Sequence, residues 1–346
     1  MMPLGARSNT IGIDLGTHSV KVASVRPQHG TFEVTAAEAG VELAGDPPRE
    51  VWLDVVEGAV RIAAARAGCR LAGQHAVFLL PVGWTEVRSL EPENLRADAA
   101  VADVAAYVEQ ELGTELAGCV WDYWFTSGTE GSDTLHLVLT RKSRAEMVAE
   151  LARRLGCDAI ALDTVPWTHY RLFRLAMPRT RTGIVLDWGL GHAWLTVIGA
   201  ESPLYCRRLP RVSFEPVLKE LSEALGLDRA TLLATLQQGG PQDAPTAELW
   251  RQLLEDASDG AIRRFADEVQ RTLEFTQARF GQDYTQTILA AGGVLTLEPL
   301  RRRVAELLSR PLALPQREEW TRWPQFAVFA ASAALAAIKL QDATLQ

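Results

Sequence analysis

The feature that most constrains the fold of this chain is a short sequence pattern that occurs twice. Residues 11–17 read IGIDLGT, residues 184–189 read IVLDWG, and a second apolar run follows each copy closely. Each copy predicts an apolar strand, an Asp-x-Gly turn and a returning apolar strand. Asp14 and Asp187 are separated by half of the 346 residues. The repeat therefore predicts a duplicated unit with one aspartate on each of two facing loops, an arrangement that grips a phosphate chain and its metal ion from opposite sides.

The composition is that of an ordinary globular protein and argues against several classes. The chain is long enough for two core-forming lobes, and it is 47% hydrophobic and 23% charged. A formal net charge of −8 without a basic stripe argues against nucleic-acid binding. Four scattered cysteines and six scattered histidines show no metal-ligand spacing, which favours free thiols in a reducing compartment.

Targeting signals are not evident in the sequence. The first residues lack an apolar signal region, because Pro3, Gly5 and Arg7 interrupt it. The longest apolar run, residues 326–338, is shorter than the ~20 residues that a membrane span needs. We therefore expect a cytoplasmic protein without direct membrane insertion.

The periodicity of apolar residues predicts an α/β chain whose second half repeats the strand order of the first. Residues 120–125 are apolar on both strand faces, which leaves open a buried strand or a partner-binding face. We also expect a hairpin turn at 128–131 and a final helix at 326–340. The predicted segments are a first-lobe core at 9–75, an inserted module at 76–160, a connecting helix returning to the first lobe at 161–182, a second lobe at 183–320 with a helical part at about 214–286, and a C-terminal helix that packs on the first lobe at 321–346.

The repeated turns have the chemistry of a nucleotide site. An aspartate at the tip of a tight turn holds Mg²⁺ directly or through water, and the glycine two positions later lets backbone approach a phosphate. The amides that follow each aspartate form a small anion nest. A Gly-Gly pair between a later strand and helix fits an adenosine loop. The predicted nucleotide-binding residues are Asp14, Gly16, Thr17, Lys21, Asp187, Gly189, Leu190, Gly292 and Gly293, of which Asp14 and Asp187 are the predicted metal ligands.

Other nucleotide-binding and hydrolytic signatures do not occur in the sequence. It contains no GxxxxGK[ST] P-loop, no GxGxxG after a strand, no GxSxG and no HExxH. We predict no catalytic residue.

The three motifs, in this order, resemble the phosphate-1, phosphate-2 and adenosine motifs of the actin-like ATPase superfamily. They lie at residues 11–17, 184–189 and 289–293. Over about residues 10–340 the chain is similar to the PilM family of type IV pilus assembly proteins, in the FtsA/PilM branch, and the segment 162–166 also resembles that family. The resemblance implies two lobes, each with an RNase H-like core sheet, and a small inserted α/β subdomain.

The resemblance also implies a function. Asp14 and Asp187 would flank Mg²⁺ and ATP would bind between the two lobes. A groove between the first lobe and the inserted module would hold the N-terminal peptide of a PilN-like inner-membrane protein. The protein would then be a cytoplasmic scaffold, peripheral to the inner membrane through its partner.

Departures from the superfamily pattern argue against fast ATP turnover. Val165 stands near the position where many relatives carry a glutamate or glutamine that orients water, and valine cannot polarise water. Residues 190–193 offer no hydroxyl group. We expect at most a slow ATPase.

Alternatives remain open at this point. They are a nucleotide-free pseudo-ATPase scaffold and a small-molecule, sugar-type kinase of the same fold. An FtsA-like division protein fits less well, because the tail 341–346 has no basic amphipathic face. The L-type protein of a secretion system also fits less well, because we would expect it to include a membrane span. The sequence leaves open whether the protein serves a pilus or another secretion system, which partner it binds and which oligomeric state it adopts.

Overall fold

The computed structural model describes residues 10–28, 31–41, 43, 47–127, 133–241, 244–315 and 326–337. The expected turn at 128–131 and the end of the final helix at 338–340 lie outside the described residues. The chain divides into two compact units, Met1–Arg171 with Ala331–Gln346 and Leu172–Ala330. We describe each unit by itself.

Unit 1 carries two sheets. The five-stranded sheet has the order β3-β2-β1-β4-β8, in which β1 pairs antiparallel with β2 and parallel with β4. The three-stranded antiparallel sheet has the order β5-β7-β6. The elements that begin in unit 1 are β1 (Thr10–Leu15), β2 (Ser19–Gln28), β3 (Thr31–Gly40), α1 (Arg49–Arg66), β4 (His75–Leu79), β5 (Thr85–Leu90), α2 (Val101–Leu112), β6 (Cys119–Ser127), β7 (Asp133–Arg141), α3 (Lys142–Leu155), β8 (Asp158–Asp163) and α4 (Val165–Ala176).

Alternation along β1 places its side chains on two faces. Ile11, Ile13 and Leu15 are buried against α1 and α3 in one core. Gly12 and Asp14 therefore lie on the opposite face. A Cβ on Gly12 would lie 1.9 Å from the Ser332 carbonyl oxygen, because the last helix approaches the strand backbone at this point. The glycine thus seats the C-terminal helix on the first sheet.

The three-stranded sheet forms a small layer of its own. Leu135, Leu137 and Leu139 on β7 are buried with Val104 and Val108 of α2. Residues 75–79 and 142–155, which the predicted module limits of 76–160 would largely include, pair or pack in the five-stranded sheet and its core instead. The separate layer in the structure is thus formed by β5, α2, β6 and β7.

Unit 2 is built around one sheet with the order β11-β10-β9-β12. Its elements are β9 (Gly183–Trp188), β10 (Ala193–Ile198), β11 (Pro203–Leu209), α5 (Glu215–Leu225), α6 (Arg229–Gln237), α7 (Ala244–Phe280), β12 (Ile288–Ala291), α8 (Gly293–Thr296), α9 (Glu298–Leu308) and α10 (Phe326–Ala336), whose C-terminal part belongs to unit 1. The fully buried Trp188 ring stacks on Phe265 of α7 at a centroid distance of 4.1 Å. This stack fixes the long helix beneath the strand that carries Asp187.

The spacing of apolar residues predicts a helix over 261–280, and α7 is longer in the structure, where it covers 37 residues. Gly260 has the low helix propensity that suggests a boundary. Trp250 and Leu254, upstream of it, are buried in the core of unit 2, and this tertiary packing outweighs local propensity. Among the described residues, no helix has the length and apolar character to cross a membrane.

Candidate functional site

The first candidate loop joins β1 to β2 in unit 1. Asp14 and Lys21 are opposite each other in the antiparallel pair, and Asp14 Oδ2 lies 3.5 Å from Lys21 Nζ. Both side chains are largely buried. Asp14 thus lies within the strand, which corrects the expectation of an aspartate at the tip of the turn. The pairing extends one residue further, to Leu15 and Val20, before the chain turns.

The turn itself exposes one hydroxyl group. A Cβ on Gly16 would lie 2.6 Å from the Ser19 carbonyl oxygen, so the closure of the turn requires glycine whether or not a phosphate binds. The His18 carbonyl accepts a 2.9 Å bond from the Val41 amide, which holds the loop against the chain after β3. Thr17 is exposed at the tip. The loop offers a carboxylate, an ammonium group and a hydroxyl group within a few residues.

The second candidate loop joins β9 to β10 in unit 2. Asp187 also lies within its strand, opposite Trp194 on β10 and beside Ala291 on β12. The next residue along the chain after β12, Gly292, has φ +82°, and a Cβ there would lie 2.3 Å from Asp187 Oδ1. The predicted adenosine glycine and the predicted metal ligand are therefore in contact. Gly293, at the start of α8, has open space around the position of a Cβ.

Hydrogen bonds within the protein occupy some of the amides of the second loop and leave others without an acceptor. The Gly189 amide donates to the His192 carbonyl at 2.9 Å, so this predicted phosphate donor instead closes the hairpin. The Leu190 carbonyl accepts from the Phe214 amide at 2.7 Å and from the Ser213 hydroxyl at 3.1 Å. Within the described part of the chain, the amides of Leu190 and Gly191 donate no hydrogen bond. These two amides are the donors that this loop leaves without an acceptor, and the role of Leu190 as a phosphate donor stays a prediction.

The start of α4 bears on the question of catalysis. Val165 is buried, and the nearest carboxyl group along the chain is Asp163, which is also buried. Burial raises the pKa of Asp163, while Arg171, the Thr164 amide and the Thr168 hydroxyl oppose that rise. Asp163 is hydrogen-bonded to all three groups. It therefore anchors α4 to β8 and is occupied as a structural ion pair.

A cavity of about 190 Å³ lies in unit 1 between the β1–β2 turn, α1 and the connection from β4 to β5. Trp52 and Trp84 form its aromatic part, with ring centroids 4.9 Å apart, and the Arg144 guanidinium lies 4.6 Å from the centre of the Trp84 ring. The other lining residues are Leu15, Gly16, Thr17, His18, Val20, Val41, Leu43, Pro47, Val56 and Pro81. The two tryptophans and Arg144 come from three separate segments, so no local sequence signal could have grouped them.

Whether side chains alone could ligate a metal ion depends on how the candidate ligands are grouped. Among the described residues, no group of three or more His, Cys, Asp or Glu side chains is placed to hold a metal ion. A protein-only metal cage is therefore not built from these residues. Mg²⁺ bound through one or two carboxylates, water and substrate phosphates needs no such cage, and this is the common mode for that ion.

Comparison with solved structures shows that the chain has the actin-like ATPase fold, as its motifs predicted. A chain of the PilM-PilN type IV pilus biogenesis complex is similar with a TM-score of 0.71 and 17% identity, covering 96% of this chain and 98% of that chain. The ethanolamine utilization protein EutJ from Carboxydothermus hydrogenoformans gives a TM-score of 0.57 at 13% identity, covering 97% and 91%. A diol dehydratase-reactivating factor in nucleotide-free form gives 0.55 at 11% identity, covering 98% and 100%. No protein-family model and no curated protein sequence matches the chain.

Proposed function

We propose that this protein is a nucleotide-binding scaffold of a type IV pilus or related inner-membrane assembly platform. The observation that carries the proposal is the pair of equivalent strand–aspartate–glycine hairpins, one in each unit of a chain that shares its fold with PilM. We further propose that the scaffold binds the N-terminal cytoplasmic peptide of a PilN-like membrane protein. That contact would keep it peripheral to the inner membrane.

The residues of the two hairpins fit a nucleotide bound with Mg²⁺. Asp14 and Asp187 would hold the ion directly or through water, while bridging phosphate oxygens supply further ligands. Lys21 and Thr17 would contact phosphate from the first hairpin, and the Leu190 amide from the second. Mg²⁺ would supply the charge that offsets the phosphate oxygens.

The chemistry at α4 supports a scaffold rather than a fast hydrolase. A general base must accept a proton from water within hydrogen-bond reach. Val165 has no such group, and Asp163 is bound to Arg171 and two further donors. Nucleotide binding would then select one conformation of the protein instead of driving rapid turnover.

Calorimetric titration of the purified protein with ATP and Mg²⁺ tests the nucleotide site. We expect saturable binding that weakens about tenfold or more in Asp187→Asn and in Asp14→Asn, since each removes one charged ligand. Asp122→Asn, at an exposed carboxylate on β6, should bind as the wild type does. Absence of binding to the wild type would refute nucleotide binding, and wild-type affinity in both site variants would refute the role of the two aspartates.

The Trp52 and Trp84 part of the cavity in unit 1 is the proposed peptide site; the cavity also borders Gly16 and Thr17, which belong to the proposed phosphate loop. It combines an aromatic and aliphatic wall with one guanidinium group, the combination that anchors an apolar peptide and orients it through a polar group. Pro81 and Trp84 of its lining lie on the connection that leads from β4 to the inserted layer, and the family resemblance implies a partner groove between the first lobe and that layer.

Fluorescence anisotropy with a labelled peptide tests the partner site. The peptide is the cytoplasmic N-terminal segment of a PilN-like membrane protein. Trp84→Ala should weaken binding about tenfold, as expected for an aromatic anchor. Phe275→Ala, at a 41% exposed aromatic of unit 2, is the matched control and should change nothing. Equal affinity in the Trp84 variant would exclude this cavity as the binding site.

A further inference from the structure

Unit 2 contains a cavity whose lining is more strongly charged than that of the cavity in unit 1. It measures about 380 Å³ and lies between the tip of the β9–β10 hairpin and the segment 208–213 that leads from β11 to α5. Its polar lining comes from His192, Arg208, Arg211 and Ser213, and none of its lining residues is acidic. Its volume is in the range of small-ligand sites.

The positive charge of this cavity is not compensated nearby. Arg208 and Arg211 are exposed, and neither makes an ion pair within the part of the chain that the structure describes. Arg208 Nη2 lies 2.8 Å from His192 Nδ1. Because a guanidinium group can only donate, Nδ1 accepts, and the imidazole proton is on Nε2. The pair therefore fixes the Arg208 side chain.

The backbone holds Arg211 in an unusual conformation. Its φ of +59° is one of two positive values for non-glycine residues among those described. The neighbours Leu209 and Val212 are buried, and the Val212 carbonyl accepts a 2.7 Å bond from Trp188 Nε1. The burial of these neighbours and the bond from Trp188 hold the turn in place. Arg211 therefore keeps a backbone conformation in which glycine would be less strained. Such strain is concentrated at binding and catalytic sites.

A backbone donor completes the set. Gly191 lines the cavity, and its amide donates no hydrogen bond to the described residues. Two guanidinium groups and an amide thus border one cavity that no carboxylate lines. Guanidinium groups and amides together are the donors that proteins use for phosphate oxygens.

We propose that this cavity is a phosphate-binding pocket in which Arg208 and Arg211, with the Gly191 amide, receive a phosphate oxyanion. The inference rests on the proposed function for the source of that group, a bound nucleotide, whereas free inorganic pyrophosphate offers the same chemistry. Unit 2 then supplies fixed positive charge for phosphate in addition to the Mg²⁺ that Asp187 would hold.

Two titrations on the full chain test this pocket, one with inorganic pyrophosphate without Mg²⁺ and one with ATP and Mg²⁺. The variants are Arg208→Gln and Arg211→Asn, the second chosen because asparagine tolerates the left-handed backbone. Arg302→Gln removes the same charge from the exposed face of α9 and is the matched control. We expect each cavity variant to weaken phosphate binding about tenfold, and the control to match the wild type.

The two titrations separate the outcomes. Weaker ATP binding in the cavity variants, with no pyrophosphate binding to the wild type, supports the pocket with the nucleotide as its source. Pyrophosphate binding that the variants weaken, with no ATP binding to the wild type, supports the pocket and refutes the proposed nucleotide function. If ATP binding is lost in Asp187→Asn but both ligands bind the cavity variants as they bind the wild type, the nucleotide function stands and the pocket is refuted. A wild type that binds neither ligand also refutes it.

Discussion

The hairpins that carry Asp14 and Asp187 have the same backbone plan but different surroundings. In both, the aspartate is the second-last paired residue of its strand, and the same number of residues separates the last paired positions. The residue opposite Asp14 is Lys21, whereas the residue opposite Asp187 is Trp194. Positive charge is thus built into the first hairpin beside its carboxylate, and in unit 2 it comes from the separate segment that carries Arg208 and Arg211.

The strand beside each aspartate shows a second difference. Leu79 on β4 and Ala291 on β12 occupy equivalent positions, and the residues that follow them are Leu80 and Gly292. Leu80 is buried in the core with α1, whereas Gly292 leaves room for the Asp187 carboxylate. A duplicated sheet therefore repeats where an aspartate is placed, while each unit uses its own neighbours to set the space and charge around it.

The largest effect that would test this comparison is expected at Gly12. Its Cβ would lie 1.9 Å from the Ser332 carbonyl oxygen and 2.7 Å from the Ala336 amide nitrogen, both in helix backbone. Gly12→Val should lower the free energy of unfolding by about 3 kcal/mol or more, because α10 must move away from the sheet. Urea unfolding measures the change. Gly40→Ala, with nothing within 4 Å of the added carbon, is the control and should cost little.

A smaller loss is expected at Gly292 in unit 2. Gly292→Ala should destabilise by about 2 kcal/mol, since it combines a positive φ with a Cβ that would lie 2.3 Å from Asp187 Oδ1. It should also weaken any ligand that Asp187 binds, because the carboxylate must shift. Gly293→Ala, one residue on and in open space, should leave thermal stability nearly unchanged. Equal effects of the two substitutions would contradict the close contact between Gly292 and Asp187.

The smallest effect concerns surface charge in unit 1. Hydrogen bonds from Arg153 and then Arg154 lower the pKa of Glu150 from 4.5 to about 2. A folded-state pKa below the unfolded value gives stability that is present above pH 4.5 and is lost as the pH falls towards 2. The unfolding free energy of Glu150→Gln should therefore fall less steeply than that of the wild type between pH 4.5 and about 2. Near pH 2 the two proteins should unfold at the same urea concentration. If the unfolding free energy of the variant falls as steeply with pH as that of the wild type, solvent screens this ion pair completely.

Local patterns were sufficient for much of the fold. The sequence predicts a strand at 10–15 and a helix at 101–112, and β1 and α2 have these limits, because alternating apolar residues mark the first and helical spacing marks the second. Gly156 ends α3 in the left-handed conformation, as a glycine after a helix predicts. The elements that the sequence did not reveal include β5 and β8, whose residues show little alternation in burial. Their partners in the sheet, far along the chain, decide that they are strands.

For the candidate sites too, some features follow from local sequence and others from tertiary contacts. The sequence by itself determined the order of the motifs and the positions of Asp14, Asp187 and the glycine pair, because a repeated strand-turn-strand pattern is a local property of the chain. Tertiary structure alone decided that the Gly189 amide closes its own hairpin, that Gly292 touches Asp187, and that two arginines and two tryptophans border separate cavities. Those facts depend on contacts between residues distant in sequence, and burial, charge and free hydrogen-bond donors are fixed only when such segments pack together.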